Sequence, residues 1–306
     1  MLDDVTTSSG ARQPAGHDHG SHGGHAASRP ESSEPAKPPK AGRNLPAAIA
    51  VGLVLAGSVV GTLYTVRWLF VVVAVAAVLM SVWELRHAIA SAGAEPPLVP
   101  LLVGTVAIIV AAYVGGAAAL GVAFGLTVLV LVLWRLTGPV EGSVVDVSSS
   151  VWIAGYLPLM AGFVMLMLAQ SQGSDRIIVF ILTTICSDIG GYAVGVLFGR
   201  HPMAPRISPK KSWEGFAGSL VACVLAASLS GHWLLGMQWW QGAVLGLAIV
   251  LTATLGDLAE SMVKRDLGIK DMGNLLPGHG GMLDRLDSLI PSAPVAFLLL
   301  TVFVGG

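Results

Sequence analysis

Two blocks of sequence near the C-terminal end decide how this chain folds: GDLAESMVKR at 256–265 and PGHGGMLDRLD at 277–287. If the first block is helical, acid, hydroxyl and base share one face at i, i+3, i+4 and i+7, namely Asp257, Glu260, Ser261 and Lys264. In the second block, Asp284 and Asp287 present two carboxylates side by side, and the preceding glycines let backbone N–H groups approach an anion. Together these residues indicate metal-dependent phosphate chemistry.

The rest of the chain is mostly apolar. Of its 306 residues, 54% are hydrophobic and 11% are charged, against roughly 25% charged in an ordinary soluble domain. We therefore predict an all-α, polytopic membrane protein in a lipid bilayer. No basic patch interleaved with aromatic residues occurs, so no nucleic-acid partner is expected. The two cysteines, Cys186 and Cys223, lie in apolar runs and support neither a disulfide framework nor a cysteine-based metal site.

Apolar runs long enough to cross a bilayer, which takes about 20 helical residues, begin near Leu45. They predict nine spans, at about 46–64, 68–88, 98–115, 117–134, 151–170, 176–198, 215–235, 240–257 and 287–304. The predicted transmembrane domain covers 44–306, with its motif-bearing half at about 176–290.

Residues 1–43 are rich in Ser, Gly, Pro and His, and we expect a disordered cytoplasmic tail. Neutral imidazoles suit transition metals, so a metal-binding tail is one interpretation of its four histidines; a flexible tail with incidental histidines is the favoured one. These histidines are His17, His19, His22 and His25.

The distribution of Lys and Arg predicts the orientation in the membrane. With the N-terminus in the cytoplasm, 15 of the 17 basic residues fall on the cytoplasmic side, and only Arg67 and Arg176 fall outside. Without the five basic residues of the tail, the ratio is still ten to two. We therefore expect a multi-pass plasma-membrane protein with its C-terminus outside.

Ionisable residues inside the predicted spans have two interpretations. Asp188 lies near the middle of the sixth span, where a bare carboxylate is costly, so we interpret it as functional rather than as a hydrogen-bonded core residue. Glu84 and Arg86 lie at the end of the second span, where charged side chains usually snorkel to the interface, and we expect a structural role for both.

The C-terminal blocks resemble the signature of the phosphatidate cytidylyltransferase (CDP-diacylglycerol synthase) family: Ser, two residues, Lys-Arg, four residues, Lys-Asp, then His-Gly-Gly and Asp-Arg-x-Asp. The matching residues are Ser261, Lys264, Arg265, Lys270, Asp271, His279, Gly280, Gly281, Asp284, Arg285 and Asp287. One departure is Met272, where the family more commonly has Ser.

Two further segments are similar to the same family. SPKKSWEG at 208–215 matches its second block, with Ser212 in place of Thr, and Asp188 is followed by Tyr192 as in the family's mid-membrane helix. Lys210 and Lys211 at the start of a helix suit a polyphosphate, although alone they could equally be a loop that only sets topology. Glu214 could reach a metal or pair with a lysine.

The resemblance implies transfer of a cytidylyl group from CTP to phosphatidic acid with Mg²⁺ as cofactor, one or two cations, and it allows a homodimer. We expect carboxylates to bind the metal, since hard cations prefer carboxylate oxygens; these are Asp188, Asp257, Asp284 and Asp287. We expect basic groups to hold the phosphates, namely Lys210, Lys211, Lys264, Arg265, Lys270 and Arg285, assisted by Ser261, Gly280 and Gly281. His279 either donates to the leaving pyrophosphate or holds the glycine turn.

Other classes of function are weaker. A secondary transporter predicts inverted repeats with broken helices in both halves, whereas the polar motifs here are confined to the second half. A structural scaffold has no need of clustered acids and bases. A CTP-dependent lipid kinase, or a transferase for another lipid phosphate, uses similar residues and stays open.

Overall fold

A computed structural model describes residues 45–273 and 280–305, so the predicted tail with its four histidines, and His279, lie outside the described residues. The helices are α1 (Leu45–Thr65), α2 (Arg67–Ala90), α3 (Leu98–Arg135), α4 (Ser143–Ala154), α5 (Met160–Ala169), α6 (Gly173–Phe198), α7 (Trp213–Leu235), α8 (Trp239–Asp266), α9 (Leu283–Leu286) and α10 (Leu289–Val304). A π-helix, Gly155–Leu159, joins α4 to α5. The predicted all-α class is confirmed, because an apolar chain in lipid satisfies its backbone polar groups within helices.

Within the described residues, seven helical segments are long and apolar enough to cross a membrane. They are Arg67–Ala90, Leu98–Arg135, Ser143–Ala169, Gly173–Phe198, Trp213–Leu235, Trp239–Asp266 and Leu283–Val304. The predicted count of nine is therefore not confirmed. The two numbers differ because α1 is not among the seven and because two predicted spans form the single segment α3.

The 38 residues of α3 would measure about 57 Å if straight, nearly twice the thickness of a bilayer core. Gly116 interrupts the helix with φ 69° and ψ −161°, a conformation that is essentially restricted to glycine. The bend falls at the residue that separates the predicted spans 98–115 and 117–134.

The connector between α6 and α7 is a small antiparallel hairpin rather than an irregular loop. Strand β1 (Pro202–Ala204) pairs with β2 (Ser208–Ser212), with Pro202 opposite Ser212 and Ala204 opposite Ser208. Ser212 then caps α7, since its Oγ accepts a hydrogen bond from the Gly215 N–H at 3.1 Å. The hairpin therefore delivers its two lysines to the beginning of a helix.

Small residues let α6 and α7 approach closely. A Cβ at Gly190 would lie 2.7 Å from the Gly218 carbonyl oxygen, and the Ser219 hydroxyl donates to the Ser187 carbonyl at 2.7 Å. Helix α10 packs on α8 in the same way, because a Cβ at Gly256 would lie 2.6 Å from the Asp287 carbonyl oxygen. These contacts join the middle of α6 to α7 and the end of α8 to the start of α10.

Arg67 and Arg176 both lie at the end of the bundle opposite to the hairpin. Arg67 begins α2, and the C-terminal end of α1 contacts the start of α6 through a hydrogen bond of 2.6 Å from the Tyr64 hydroxyl to Asp175. Arg176 is fully buried and donates to the carbonyl groups of Leu300, at 3.1 Å, and Gly305. The C-terminal end of α10 therefore lies on the side that the basic residues otherwise avoid.

Candidate active site

A cavity of about 310 Å³ lies between α6, the hairpin, α7 and α8. Its charged lining comes from three of the four segments that sequence analysis singled out: Asp188 from α6, Lys210 and Lys211 from β2, and Asp257 from α8. Tyr192 and several glycines and serines complete the wall. The tertiary structure therefore brings together the segments that sequence analysis picked out separately.

One ion pair spans this cavity. Lys211 Nζ lies 2.5 Å from Asp257 Oδ2, and the Ser261 hydroxyl donates to Asp257 Oδ1 at 3.3 Å. Lys211 is on the hairpin and Asp257 is on α8, so this ion pair joins two walls of the cavity. A substrate phosphate that took over Lys211 would leave the Asp257 carboxylate available to a cation.

Two further carboxylates belong to the same electrostatic group. The charge of Asp287 interacts with those of Asp257 and Asp188, and Asp188 in turn interacts with Lys211. Asp287 Oδ1 accepts a 2.7 Å hydrogen bond from the N–H of Ser288, which itself lines the cavity. Asp188 and Asp257 therefore line the cavity, and Asp287 adjoins it through its neighbour Ser288.

Asp284, the fourth predicted ligand, has different partners. Its Oδ1 lies 2.5 Å from Lys264 Nζ, and its Oδ2 accepts from the N–H groups of Gly281 at 2.9 Å and Met272 at 3.2 Å. Lys264 also pairs with Glu260 at 2.6 Å. Lys264 is therefore clamped between two carboxylates in this structure.

The carboxylates do not form a ready-made metal cage. Across residues 45–273 and 280–305, no group of three or more His, Cys, Asp or Glu side chains is arranged to hold a metal ion. Mg²⁺, however, is usually bound through one or two carboxylates, with waters and substrate phosphates completing the shell. Asp188 and Asp257, both lining the cavity, meet that smaller requirement.

The two described glycines of the second block, Gly280 and Gly281, face carboxylates of the protein itself. Gly280 has φ 81°, and the Gly281 N–H that we expected to approach an anion is donated to Asp284. A Cβ at Gly281 would lie 2.8 Å from Glu84 Oε2. In this structure the glycines serve close packing around two carboxylates, and their contact with a substrate stays a prediction.

The remaining predicted residues are not part of the cavity lining. Arg265 Nε donates to the Ile207 carbonyl at 3.2 Å and so ties α8 to the hairpin. Lys270 and Arg285 are exposed. Glu214 binds the backbone at the base of the hairpin: its Oε2 accepts from the N–H groups of Arg200 and His201, at 3.1 and 3.2 Å. His201 Nδ1 lies 2.5 Å from Glu214 Oε1, so Glu214 fastens the base of the hairpin.

Two residues of the first half lie next to residues of the site, and sequence analysis assigned neither of them to it. Glu84 is 1% exposed and binds the backbone of 282–283, so the expectation that it snorkels to the interface is wrong. The π-helix carries Tyr156, whose hydroxyl is buried and has no hydrogen-bond partner among the described residues; Glu260, Asp287 and Asp257 act on it electrostatically. The available signals were an acid at the end of an apolar run, for Glu84, and Pro158 inside a predicted span, for Tyr156.

For Arg86 the structural interpretation agrees with its contact, a 3.1 Å hydrogen bond from Nε to the Pro96 carbonyl.

Comparison with known proteins adds independent information. Residues 46–303 match the model of the cytidylyltransferase family. The chain is 46% identical over 283 residues to a phosphatidate cytidylyltransferase of Mycobacterium leprae, covering 86% of this chain and 90% of that protein. A phosphatidate cytidylyltransferase of Mycobacterium tuberculosis is 45% identical over 276 residues, with 86% and 84% covered. One from Brucella suis is 40% identical over 148 residues, 47% of this chain and 55% of its own.

Proposed function

Because the chain belongs to the cytidylyltransferase family, as its motifs predicted, we propose that it transfers the cytidylyl group of CTP to phosphatidic acid. The reaction releases pyrophosphate and leaves CDP-diacylglycerol in the bilayer. The observation that best supports this proposal is the Lys211–Asp257 ion pair of 2.5 Å, which joins SPKKSWEG to GDLAESMVKR at one cavity.

The reaction does not need a strong general base. The attacking group is a phosphate oxyanion, so the site has to neutralise two anionic partners and align them for in-line displacement. Lys210 and Lys211 line the cavity and supply ammonium groups for the phosphates, while the acyl tails stay in the hydrocarbon. Lys264, paired with Asp284, offers a further cation close by.

The carboxylate cluster supports Mg²⁺ as the cofactor. Asp188 and Asp257 are the residues that would hold it, with Asp287 as their neighbour. A bound Mg²⁺ would supply charge neutralisation at the phosphoryl oxygens. Removal of divalent cations with a chelator should therefore stop turnover, and added Mg²⁺ should restore it.

The distribution of basic residues supports the orientation. We infer that the hairpin end of the bundle faces the cytoplasm, where nucleotides are, and that the end with Arg67 and Arg176 faces outward at the plasma membrane. The residues 1–43 are inferred to be a cytoplasmic tail. A homodimer, which the family resemblance allows, is decided by light scattering of the detergent-solubilised protein.

The test is substrate identity. Purified protein is incubated with labelled CTP, Mg²⁺ and a panel of lipid phosphates, and both products are followed. We expect pyrophosphate release with phosphatidic acid together with a CDP-linked lipid. Release of CDP would place the attack at the γ-phosphorus and identify a CTP-dependent lipid kinase instead, while turnover of another lipid phosphate in preference would change the substrate.

A further inference from the structure

Glu84 connects the two halves of the molecule. It lies near the C-terminal end of α2 and is 1% exposed. Its Oε1 accepts a hydrogen bond from the Met282 N–H at 3.0 Å, and its Oε2 accepts one from the Leu283 N–H at 2.9 Å. A single carboxylate thus receives two consecutive backbone N–H groups from a segment about 200 residues away.

Two described stretches of one loop, residues 272–273 and 280–283, are packed around this carboxylate. A Cβ at Gly281 would lie 2.8 Å from Glu84 Oε2, and a Cβ at Gly273 would collide with Glu84 Oε1. Met272, Met282 and Leu283 are all buried beside it. Among the described residues Glu84 has no basic partner, so the backbone N–H groups are what compensate its burial.

The same loop carries Asp284. The N–H of Gly281 and that of Met272 are donated to Asp284, and Asp284 pairs with Lys264 at 2.5 Å. Glu84 therefore accepts from Leu283, the residue before Asp284, and Asp284 accepts from Gly281, the residue before Met282. A shift of this loop by one ångström would move the Asp284 carboxylate relative to Lys264 and to the cavity.

We propose that Glu84 is a positioning residue of the cytidylyl transfer: it holds the loop that aims Asp284 at Lys264. The role of Glu84 in catalysis rests on the proposed function, whereas its anchoring of the loop rests only on its two hydrogen bonds. Glu84 itself lies outside the cavity lining and touches no reacting group.

The experiment compares E84Q with wild type and with S81A. Gln has the shape of Glu but offers one acceptor oxygen instead of two, so one of the two N–H groups loses its partner. Ser81 lies one turn earlier in α2, is fully buried, and bonds only within its helix, to the Ala77 carbonyl at 2.9 Å, which makes S81A the matched control. The readouts are kcat and KM for CTP, thermal unfolding, and hydrogen exchange of the Met282 and Leu283 amides.

We expect kcat of E84Q to fall by about tenfold to a hundredfold at a temperature where the protein is fully folded, because small misplacements of reacting groups cost that much. Exchange of the two amides should accelerate by about tenfold, and S81A should match wild type in both. Wild-type kcat in folded E84Q would overturn the proposal, as would a loss of activity that only follows the folded fraction.

E84D covers the case in which E84Q does not fold, since it keeps the charge on a shorter arm. Partial recovery of kcat and of amide protection in E84D supports the proposal, whereas equal loss of activity and stability in both variants would reduce Glu84 to a structural residue. If wild type itself does not turn over CTP with phosphatidic acid, the proposed function fails. Loop anchoring is then judged by exchange alone, and unchanged exchange in E84Q overturns it.

Discussion

Asp287 lies between α9 and α10, within electrostatic reach of Asp188 on α6 and Asp257 on α8. Asp287→Asn keeps the volume and removes the charge. We expect CTP-dependent pyrophosphate release to fall at least about a hundredfold while the thermal unfolding transition is retained. Asp266→Asn, an exposed acid at the end of α8, is the control and should keep the wild-type rate. A normal rate in Asp287→Asn would exclude it from the metal and phosphate chemistry.

The contributions of Lys264 to stability and to catalysis can be measured separately, because Glu260, one of its two partners, is buried. In Lys264→Ala the Glu260 and Asp284 charges lose their cation, which costs about 3 kcal/mol for a buried pair. We expect a lower Tm, a higher KM for CTP and slower turnover.

Adding Glu260→Gln to that variant removes one orphaned charge. The double variant should regain most of the lost Tm but none of the lost turnover, as measured by thermal unfolding and by product release. Recovery of both properties would mean that Lys264 acts only on folding.

At the level of helices, α3 depends on the backbone of one residue. Gly116→Ala places a Cβ on a residue with φ 69°, and we expect a loss of stability of about 1–3 kcal/mol. Gly121→Ala is the matched control, because Gly121 is helical and a Cβ there meets no atom within 4 Å. It should be neutral or stabilise by about 0.5–1 kcal/mol. The measurement is thermal unfolding in detergent, and equal stability of the two variants would contradict the bend at Gly116.

The hairpin is the second element whose position matters. Glu214→Ala removes the acceptor for the Arg200 and His201 N–H groups and should let β2, with Lys210 and Lys211, move away from the cavity. We expect KM for CTP to rise about tenfold, with a smaller change in kcat. Glu141→Ala, an exposed acid between α3 and α4, serves as the control in the same kinetic assay. An unchanged KM would show that the hairpin is held by its other contacts.

For the whole molecule, the unequal ends of the bundle predict how it sits in the membrane. Single cysteines at Ser171, beside Arg176, and at Arg206, in the hairpin, report the two ends in a background without Cys186 and Cys223. A membrane-impermeant maleimide should label position 171 in intact cells and position 206 only after permeabilisation. The reverse pattern would invert the proposed orientation.

The sequence by itself determined the class of the protein and the approximate positions of most helices, and it supplied the candidate residues of the site. This was achievable because a backbone in lipid has to bond within its own segment, so each apolar run becomes a helix whatever its neighbours are. The motifs carry their family information locally as well, and family membership is confirmed.

Only the tertiary structure decided which of these residues meet. The Asp284 carboxylate pairs with Lys264 instead of joining Asp188, and Glu214 fastens the hairpin. Glu84, which looked like an interfacial charge, is buried against a loop of the other half. Such contacts depend on how close the small residues let helices approach and on where single glycines turn the chain, and neither is encoded in the hydropathy of one segment.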